Sequence, residues 1–289
     1  MLLTGLIGWP VGHSRSPAMQ NAAFAAAGIE GVYVPLPVQP QRVGEAVAGL
    51  RALGFRGANV TVPHKQAVIP HLDELSSTAA ALGAVNTIVV REDGSLFGDN
   101  TDARGFLADL VEQGITLGDM QKGGALILGA GGSARAVAYA LASAGVPVRI
   151  WARRPEQAEQ LAADLHPHLG DESLILNFQS SISNTQYQIA KIKFIINCTP
   201  VGMSPHSDAS PWPDDLPFHA DQFLYDLVYN PPETKLMRQA RAGGAVASNG
   251  LGMLLHQGAL AWEQWTGVPA PLAAMRRGLE KGFIFIPPA

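Results

Sequence analysis

Ala125-Leu126-Ile127-Leu128-Gly129-Ala130-Gly131-Gly132-Ser133-Ala134-Arg135 is the stretch that decides the fold. Four apolar residues read as a short buried strand that runs directly into a glycine turn, and the Ala-rich stretch 136–144 that follows has helical composition. Gly129 and Gly131, with Ala134 in the third small position, fit a strand-to-helix turn whose backbone approaches a pyrophosphate at the helix amino terminus. A side chain would block that approach. A glycine turn that only reverses the chain is the alternative, and the strand before it and helix after it favour dinucleotide binding.

The next apolar run, 146–151, ends in Ala152-Arg153-Arg154. A site selective for NAD carries Asp or Glu at that point to hold the ribose 2′-hydroxyl. Two arginines and no carboxylate favour the 2′-phosphate of NADP, which a guanidinium binds through charge and paired donors. The other reading is a solvated pair before a helix at 156–165. The segment 166–193, with a Ser/Asn/Gln-rich middle at 179–188, reads as a helix or surface connection without chemistry. A strand at 193–197 then leads into Cys198-Thr199-Pro200-Val201-Gly202-Met203, a loop at a strand's carboxyl end, where such folds bind ligand. Gly202 and Met203 are placed to line a nicotinamide pocket. A proline-rich excursion at 205–217, a strand at 223–229 and a turn at 230–232 follow.

Toward the amino terminus the same alternation holds. Strands are expected at 2–8, 32–38, 58–62 and 84–90, and helices at 17–28 and 41–53. Gly54-Phe55-Arg56-Gly57 reads as a turn, Pro63 ends a strand, and Glu92-Asp93-Gly94-Ser95 reads as a hairpin turn returning through 96–100. Strands alternating with helices give an α/β fold with parallel sheets, and 289 residues, 47% of them hydrophobic, suit two domains.

A formal charge of −4, a pI near 6.0 and the lack of a Lys/Arg-rich run argue against nucleic-acid and membrane-surface partners. Cys198 is the only cysteine, so an intramolecular disulfide is excluded. The amino terminus lacks the pattern of a secretory signal, and no apolar run is long enough to span a bilayer, so a cytoplasmic location is expected.

Six separated segments together carry a resemblance: Gly12-His13-Ser14-Arg15-Ser16-Pro17, Asn59-Val60-Thr61-Val62-Pro63-His64-Lys65, Gly83-Ala84-Val85-Asn86-Thr87, Gly98-Asp99-Asn100-Thr101-Asp102, the turn from Gly129 to Ser133, and Asn249-Gly250-Leu251-Gly252-Met253 on to Gln257. In order and spacing the chain resembles the shikimate dehydrogenase family over nearly its whole length. The resemblance implies a substrate-binding domain at 1–103 and 250–289, an inserted Rossmann-type NADP-binding domain at 104–249, and a cleft between them. It implies reduction of 3-dehydroshikimate to shikimate, in either a monomer or a homodimer and without a metal.

Carried over by resemblance, Lys65 and Asp102 are the catalytic pair, a reading that fits the need of a ketone reduction for a positioned proton donor. Ser14 and Ser16 would hold the substrate carboxylate, and Thr61, Asn86 and Gln257 its ring hydroxyls, with Tyr229 nearby. Ser14 and Ser16 also suit a helix cap before Pro17. Gly129, Ala130, Gly131, Gly132, Ser133, Ala134, Arg153, Arg154, Thr199, Val201, Met203, Leu227 and Gly250 would line the cofactor. His13 and His64 have no acidic or cysteine partner to complete a metal set, and read as a polar rim.

Two departures stand out. Many family members have Asn-Arg-Thr where Ala152-Arg153-Arg154 stands, and an acidic residue where Asn249 stands. The alternatives are a quinate/shikimate dehydrogenase of broader specificity using NAD or NADP, and a nicotinamide-binding redox sensor without turnover.

Overall fold

The computed structural model describes residues 1–165, 174–176 and 191–281, and divides into two compact units: 1–105 with 254–289, and 106–253. Residues 179–188, read above as a helix or surface connection, lie outside the described residues. Among the described residues no helix is long and apolar enough to cross a membrane.

The first unit is built on a six-stranded sheet in the order β2-β1-β3-β5-β6-β4. Its strands are β1 (Leu2–Gly8), β2 (Gly31–Pro37), β3 (Phe55–Val60), β4 (Glu74–Leu75), β5 (Thr87–Val90) and β6 (Leu96–Asp99). β1 pairs in parallel with β2 and β3, while β5 runs antiparallel to both β3 and β6, so this sheet is mixed. The hairpin expected at 92–95 joins β5 to β6. Helices α1 (Ser16–Ala27), α2 (Val43–Ala52) and α3 (Ser77–Leu82) belong to this unit, and α4 (Asp102–Glu112) starts in it.

Several boundaries differ from the sequence reading, each for a local reason. The helix expected at 41–53 is a short 3-10 turn at Pro40–Arg42 followed by α2. Gly57 is not part of a turn, because β3 begins at Phe55, where it pairs with Leu3. A Cβ on Gly57 would lie 2.2 Å from Trp265 Nε1 and 2.3 Å from the Ile88 carbonyl oxygen, so the glycine admits an indole. The strand expected over 84–90 is ordered as β5 only from Thr87. Before it the chain leaves the ladder, with the Val85 amide donating to the Lys65 carbonyl at 2.8 Å and the Asn86 amide to the Asp99 carbonyl at 3.1 Å.

The second unit holds α5 (Leu117–Gly123), β7 (Ala125–Leu128), α6 (Gly132–Ser143), β8 (Val148–Trp151), α7 (Pro155–Leu165), β9 (Leu174–Leu176), β10 (Phe194–Asn197), β11 (Phe223–Asp226), α8 (Lys235–Ala242) and β12 (Val246–Asn249). Its sheet is parallel throughout, in the order β12-β11-β10-β7-β8-β9. This is the doubly wound dinucleotide-binding order, whose topology reverses between the first and fourth strands, here β7 and β10. The proline-rich excursion carries Trp212 into the core, where it and Phe218, the residue just after the excursion, lie beside Trp151, Leu126 and Leu224.

Helices α9 (Leu251–Thr266) and α10 (Leu272–Lys281) complete the first unit from the far end of the chain. Trp262 meets Phe24 edge to face at 4.8 Å between centroids, and Trp265 donates to the Ile88 carbonyl at 3.0 Å. Gly258 and Gly278 let α1 come close: Cβ atoms there would lie 2.2 Å from Met19 Cε and 2.7 Å from the Ala18 carbonyl oxygen.

Candidate active site

In the first unit Lys65 Nζ donates to Asp102 Oδ2 at 2.5 Å, and the two side chains are only 14% and 8% exposed. Both are fixed by backbone. Lys65 follows the turn after β3, closed by the His64 amide donating to the Thr61 carbonyl at 2.9 Å, and Asp102 opens α4, its amide donating to Asn100 Oδ1 at 3.1 Å. The other oxygen of Asp102 accepts from Asn86 Nδ2 at 2.7 Å. Its two acceptor sites are thereby aimed in different directions. Among the described residues Lys65 Nζ donates only to Asp102, which leaves it two further N–H donors.

Asn86 is the hub of this cluster. Its Nδ2 also reaches Thr101 Oγ1 at 3.0 Å and Gln257 Oε1 at 3.3 Å, and its Oδ1 accepts from the Thr101 amide at 2.8 Å and from the Thr87 hydroxyl at 3.0 Å. From there a buried chain runs across the sheet: Asn59 Nδ2 donates to Thr87 Oγ1 at 3.2 Å, and the Tyr33 hydroxyl donates to Asn59 Oδ1 at 2.9 Å. Burial pushes the Tyr33 phenol well above its ordinary range, so it acts as a neutral donor. Ser14 Oγ accepts from the Ser16 amide at 3.2 Å, so it caps this turn locally, while the residue preceding α1 is Arg15, which supplies no side-chain cap.

Asn86, Asp102, Lys65 and Gln257 are thus joined by contact, while Ser14 and Ser16 are bonded to each other at the start of α1. Thr61 stands half-buried in the Lys65 turn, its methyl 2.4 Å from where a Cβ on Gly8 would lie, which explains that glycine. Tyr229 belongs to the other unit, on the segment after β11. His64 is buried, its Nε2 2.7 Å from the Val38 carbonyl oxygen, so it braces the turn that carries Lys65 and is not a polar rim; His13 is exposed. Asn59, Asn100 and Thr101 were not singled out in the sequence, although all three lie inside the motifs quoted there.

In the second unit the glycine turn opens on a cavity of about 770 Å³ lined by Gly129 to Gly131, Trp151 to Pro155, Cys198 to Val201 and Ser210. Gly129 has φ +104°, and a Cβ there would come 3.0 Å from Thr199 Cγ2. Nothing stands within 4 Å of a Cβ built on Gly131, which precedes α6 without a side-chain cap, and the first turn of α6 carries no acidic residue. Uncapped amides and open space above the turn suit a pyrophosphate. Arg153 and Arg154 are exposed at the end of β8, with no carboxylate partner among the described residues, as a 2′-phosphate requires. Leu227 and Gly250 also meet: a Cβ on Gly250 would lie 2.3 Å from the Leu227 carbonyl oxygen. Met203 is 37% exposed. The residues present therefore fit NADP.

Asn249, the departure from the acidic residue common in the family, caps α9 by accepting the Leu251 amide at 3.1 Å. Cys198 lines the cavity, and burial with the nearby Asp226 carboxylate pushes its thiol far up, away from nucleophilic use.

Residues 6–88 match the shikimate dehydrogenase substrate binding domain, and residues 250–280 match the shikimate 5'-dehydrogenase C-terminal domain. Shikimate dehydrogenase (NADP(+)) of Salinibacter ruber is 50% identical over 277 residues, covering 94% of this chain and 95% of that protein. The crystal structure of shikimate 5-dehydrogenase from Thermus thermophilus in complex with NADP(H) and shikimate superposes with a TM-score of 0.86 at 38% identity, covering 98% of this chain and 100% of the other. Quinate dehydrogenase from Corynebacterium glutamicum in complex with NAD gives a TM-score of 0.86 at 33% identity, covering 97% and 99%. With half of its residues shared across nearly the full length of a relative, the chain belongs to the shikimate dehydrogenase family.

Proposed function

We propose that the chain catalyses the NADP-dependent, reversible reduction of 3-dehydroshikimate to shikimate. The observation that carries this reading is the largely buried Lys65–Asp102 pair, held by Asn86, with two lysine donors left over. Bound NADPH would supply the hydride. Lys65 Nζ donates a proton to the ketone oxygen as it becomes a hydroxyl, and takes it back in the oxidation direction. Asp102 orients that ammonium and, as the nearest carboxylate, balances its charge.

Ser14 and Ser16 face the substrate carboxylate in this reading, while Thr61, Asn86 and Gln257 contact ring hydroxyls, and Tyr229 is carried over from the resemblance as a further substrate-binding residue. The amides of the turn from Gly129 to Ala134 hold the pyrophosphate, Arg153 and Arg154 the 2′-phosphate, and Thr199, Val201, Met203, Leu227 and Gly250 the nicotinamide half. A cytoplasmic site of action fits the single cysteine, and the assembly is a monomer or homodimer.

The test offers shikimate and quinate, each with NADP and NAD, to the purified protein and follows nicotinamide absorbance. Turnover chiefly with shikimate and NADP is expected. Comparable turnover of quinate with NAD would move the chain to the broader-specificity branch, and cofactor binding without turnover would replace this reading by a redox sensor.

A further inference from the structure

Strand β11 closes on Asp226, whose carboxylate is fully buried. Its Oδ1 accepts from Asn197 Nδ2 at 2.8 Å and from the Val228 amide at 3.0 Å, and its Oδ2 accepts from the Thr234 hydroxyl at 2.6 Å. A buried carboxylate is costly unless its lone pairs are used, and here three donors use them.

The two side-chain donors, Asn197 and Thr234, each govern a segment at the carboxyl edge of the sheet. Asn197 ends β10 in register with Asp226, and its Oδ1 accepts from the Thr199 hydroxyl at 2.7 Å and the Thr199 amide at 3.0 Å. Thr199 Oγ1 in turn accepts from the Val201 amide at 3.2 Å. Thr234 caps α8 through the Met237 amide at 3.2 Å, and its Cβ lies 3.6 Å from where a Cβ on Gly202 would be. The Ser204 amide donates to the Asn230 carbonyl at 2.9 Å, so the two loops also meet beyond the carboxylate.

The sheet order places β8, with Arg153 and Arg154 after it, on one side of β7 and places β10 and β11 on the other. A dinucleotide laid across the glycine turn therefore puts its adenosine end toward the arginines and its other end toward Thr199 and Val201. We infer that Asp226 is a positioning residue for the nicotinamide half of the cofactor pocket, holding segments 198–203 and 227–234 to one another through Asn197 and Thr234. This inference rests on the NADP reading proposed above.

The geometry accounts for aspartate at this position. In Asp226→Asn one carboxylate oxygen becomes an NH2 group, which must face either the Thr234 hydroxyl or the Asn197 and Val228 donors. Thr234→Val removes one donor with little change of shape, and Thr234→Ser retains it.

The experiment measures calorimetric binding of two probes, NADPH and adenosine 2′,5′-bisphosphate, to the wild type and to Asp226→Asn, Thr234→Val and Thr234→Ser, each checked for folding by circular dichroism. Asp226→Asn and Thr234→Val are expected to weaken NADPH about tenfold, the equivalent of about 1.4 kcal/mol, or roughly one hydrogen bond to a charged group. Binding of the bisphosphate should stay unchanged, and Thr234→Ser should bind NADPH as the wild type does. Should Asp226→Asn fail to fold, the Thr234 pair decides alone. Equal weakening of both probes, or unchanged NADPH affinity in folded variants, overturns the inference while leaving a wild type that turns over as proposed. A wild type that binds no NADPH overturns the functional reading and this inference together.

Discussion

Replacing Asp102 by asparagine keeps the shape of the side chain and removes its charge, which makes it the most direct probe of the catalytic pair. Asp102 accepts Lys65 on one oxygen at 2.5 Å and Asn86 on the other at 2.7 Å. In Asp102→Asn neither orientation of the new amide serves both neighbours, since its NH2 must point at the lysine ammonium or at the Asn86 NH2. The loss is that of a charge-assisted hydrogen bond, about 1.5–3 kcal/mol. At about 1.4 kcal/mol per power of ten, kcat/KM should fall by about 10- to 150-fold. Lys65→Ala should cost about 10²- to 10⁴-fold, the span for loss of an acid–base group. If Asp102 acts through the lysine, the double variant loses no more than Lys65→Ala alone, giving a coupling energy of about 1.5–3 kcal/mol. The assay is shikimate oxidation followed by nicotinamide absorbance, with shikimate affinity measured separately. Penalties that add to within about 0.5 kcal/mol would show two independent roles and refute the pair.

Removing both Arg153 and Arg154 should raise KM for NADPH by at least about tenfold, the loss of one charge-assisted contact, with little change for NADH; equal effects on the two cofactors would exclude a phosphate clamp. Gly57→Ala places a methyl group against Trp265 and the Ile88 carbonyl, and should destabilise the protein by about 1–3 kcal/mol, visible as a lower Tm; an unchanged Tm would mean that the indole moves freely. Burial raises the Asp226 carboxyl above its ordinary 3.8, so between that pH and its folded value the folded state binds more protons than the unfolded chain. Asp226 therefore contributes stability that is present at lower pH and lost as the pH rises through this window. Urea unfolding of the wild type and Asp226→Asn across the acid range should show this falling difference, and a rising one would reverse the assignment.

The strand–glycine–helix unit at 125–143 was legible because a buried strand, a turn without side chains and an Ala-rich helix each leave a compositional mark on consecutive residues. The sites of Lys65, Asp102 and Asn86 were legible only through the resemblance, since nothing local separates such a lysine from a solvated one. Gly57 was misread because the reason for it, Trp265, lies about two hundred residues away. His64 was misplaced likewise, as its partner is a backbone carbonyl on another strand. Asn100 and Thr101 sat beside Asp102 in plain view, yet their roles as holders of Asp102 and Asn86 are matters of backbone direction. The Asn197–Asp226 contact could not be seen before the parallel register of β10 and β11 was known.

Helices α9 and α10 have a consequence for synthesis. Trp262 and Trp265 are fully buried in the unit that begins at residue 1, and Gln20 donates to the Gly258 carbonyl at 2.9 Å across 238 residues of chain. A nascent chain that has released residues 1–105 from the ribosome thus carries a sheet whose covering helices have not yet been translated. The intervening stretch 106–253 contains its own sheet and core, and can settle as soon as it emerges. The order of translation therefore supplies every residue of the inserted unit before the unit that carries Lys65 and Asp102 is complete.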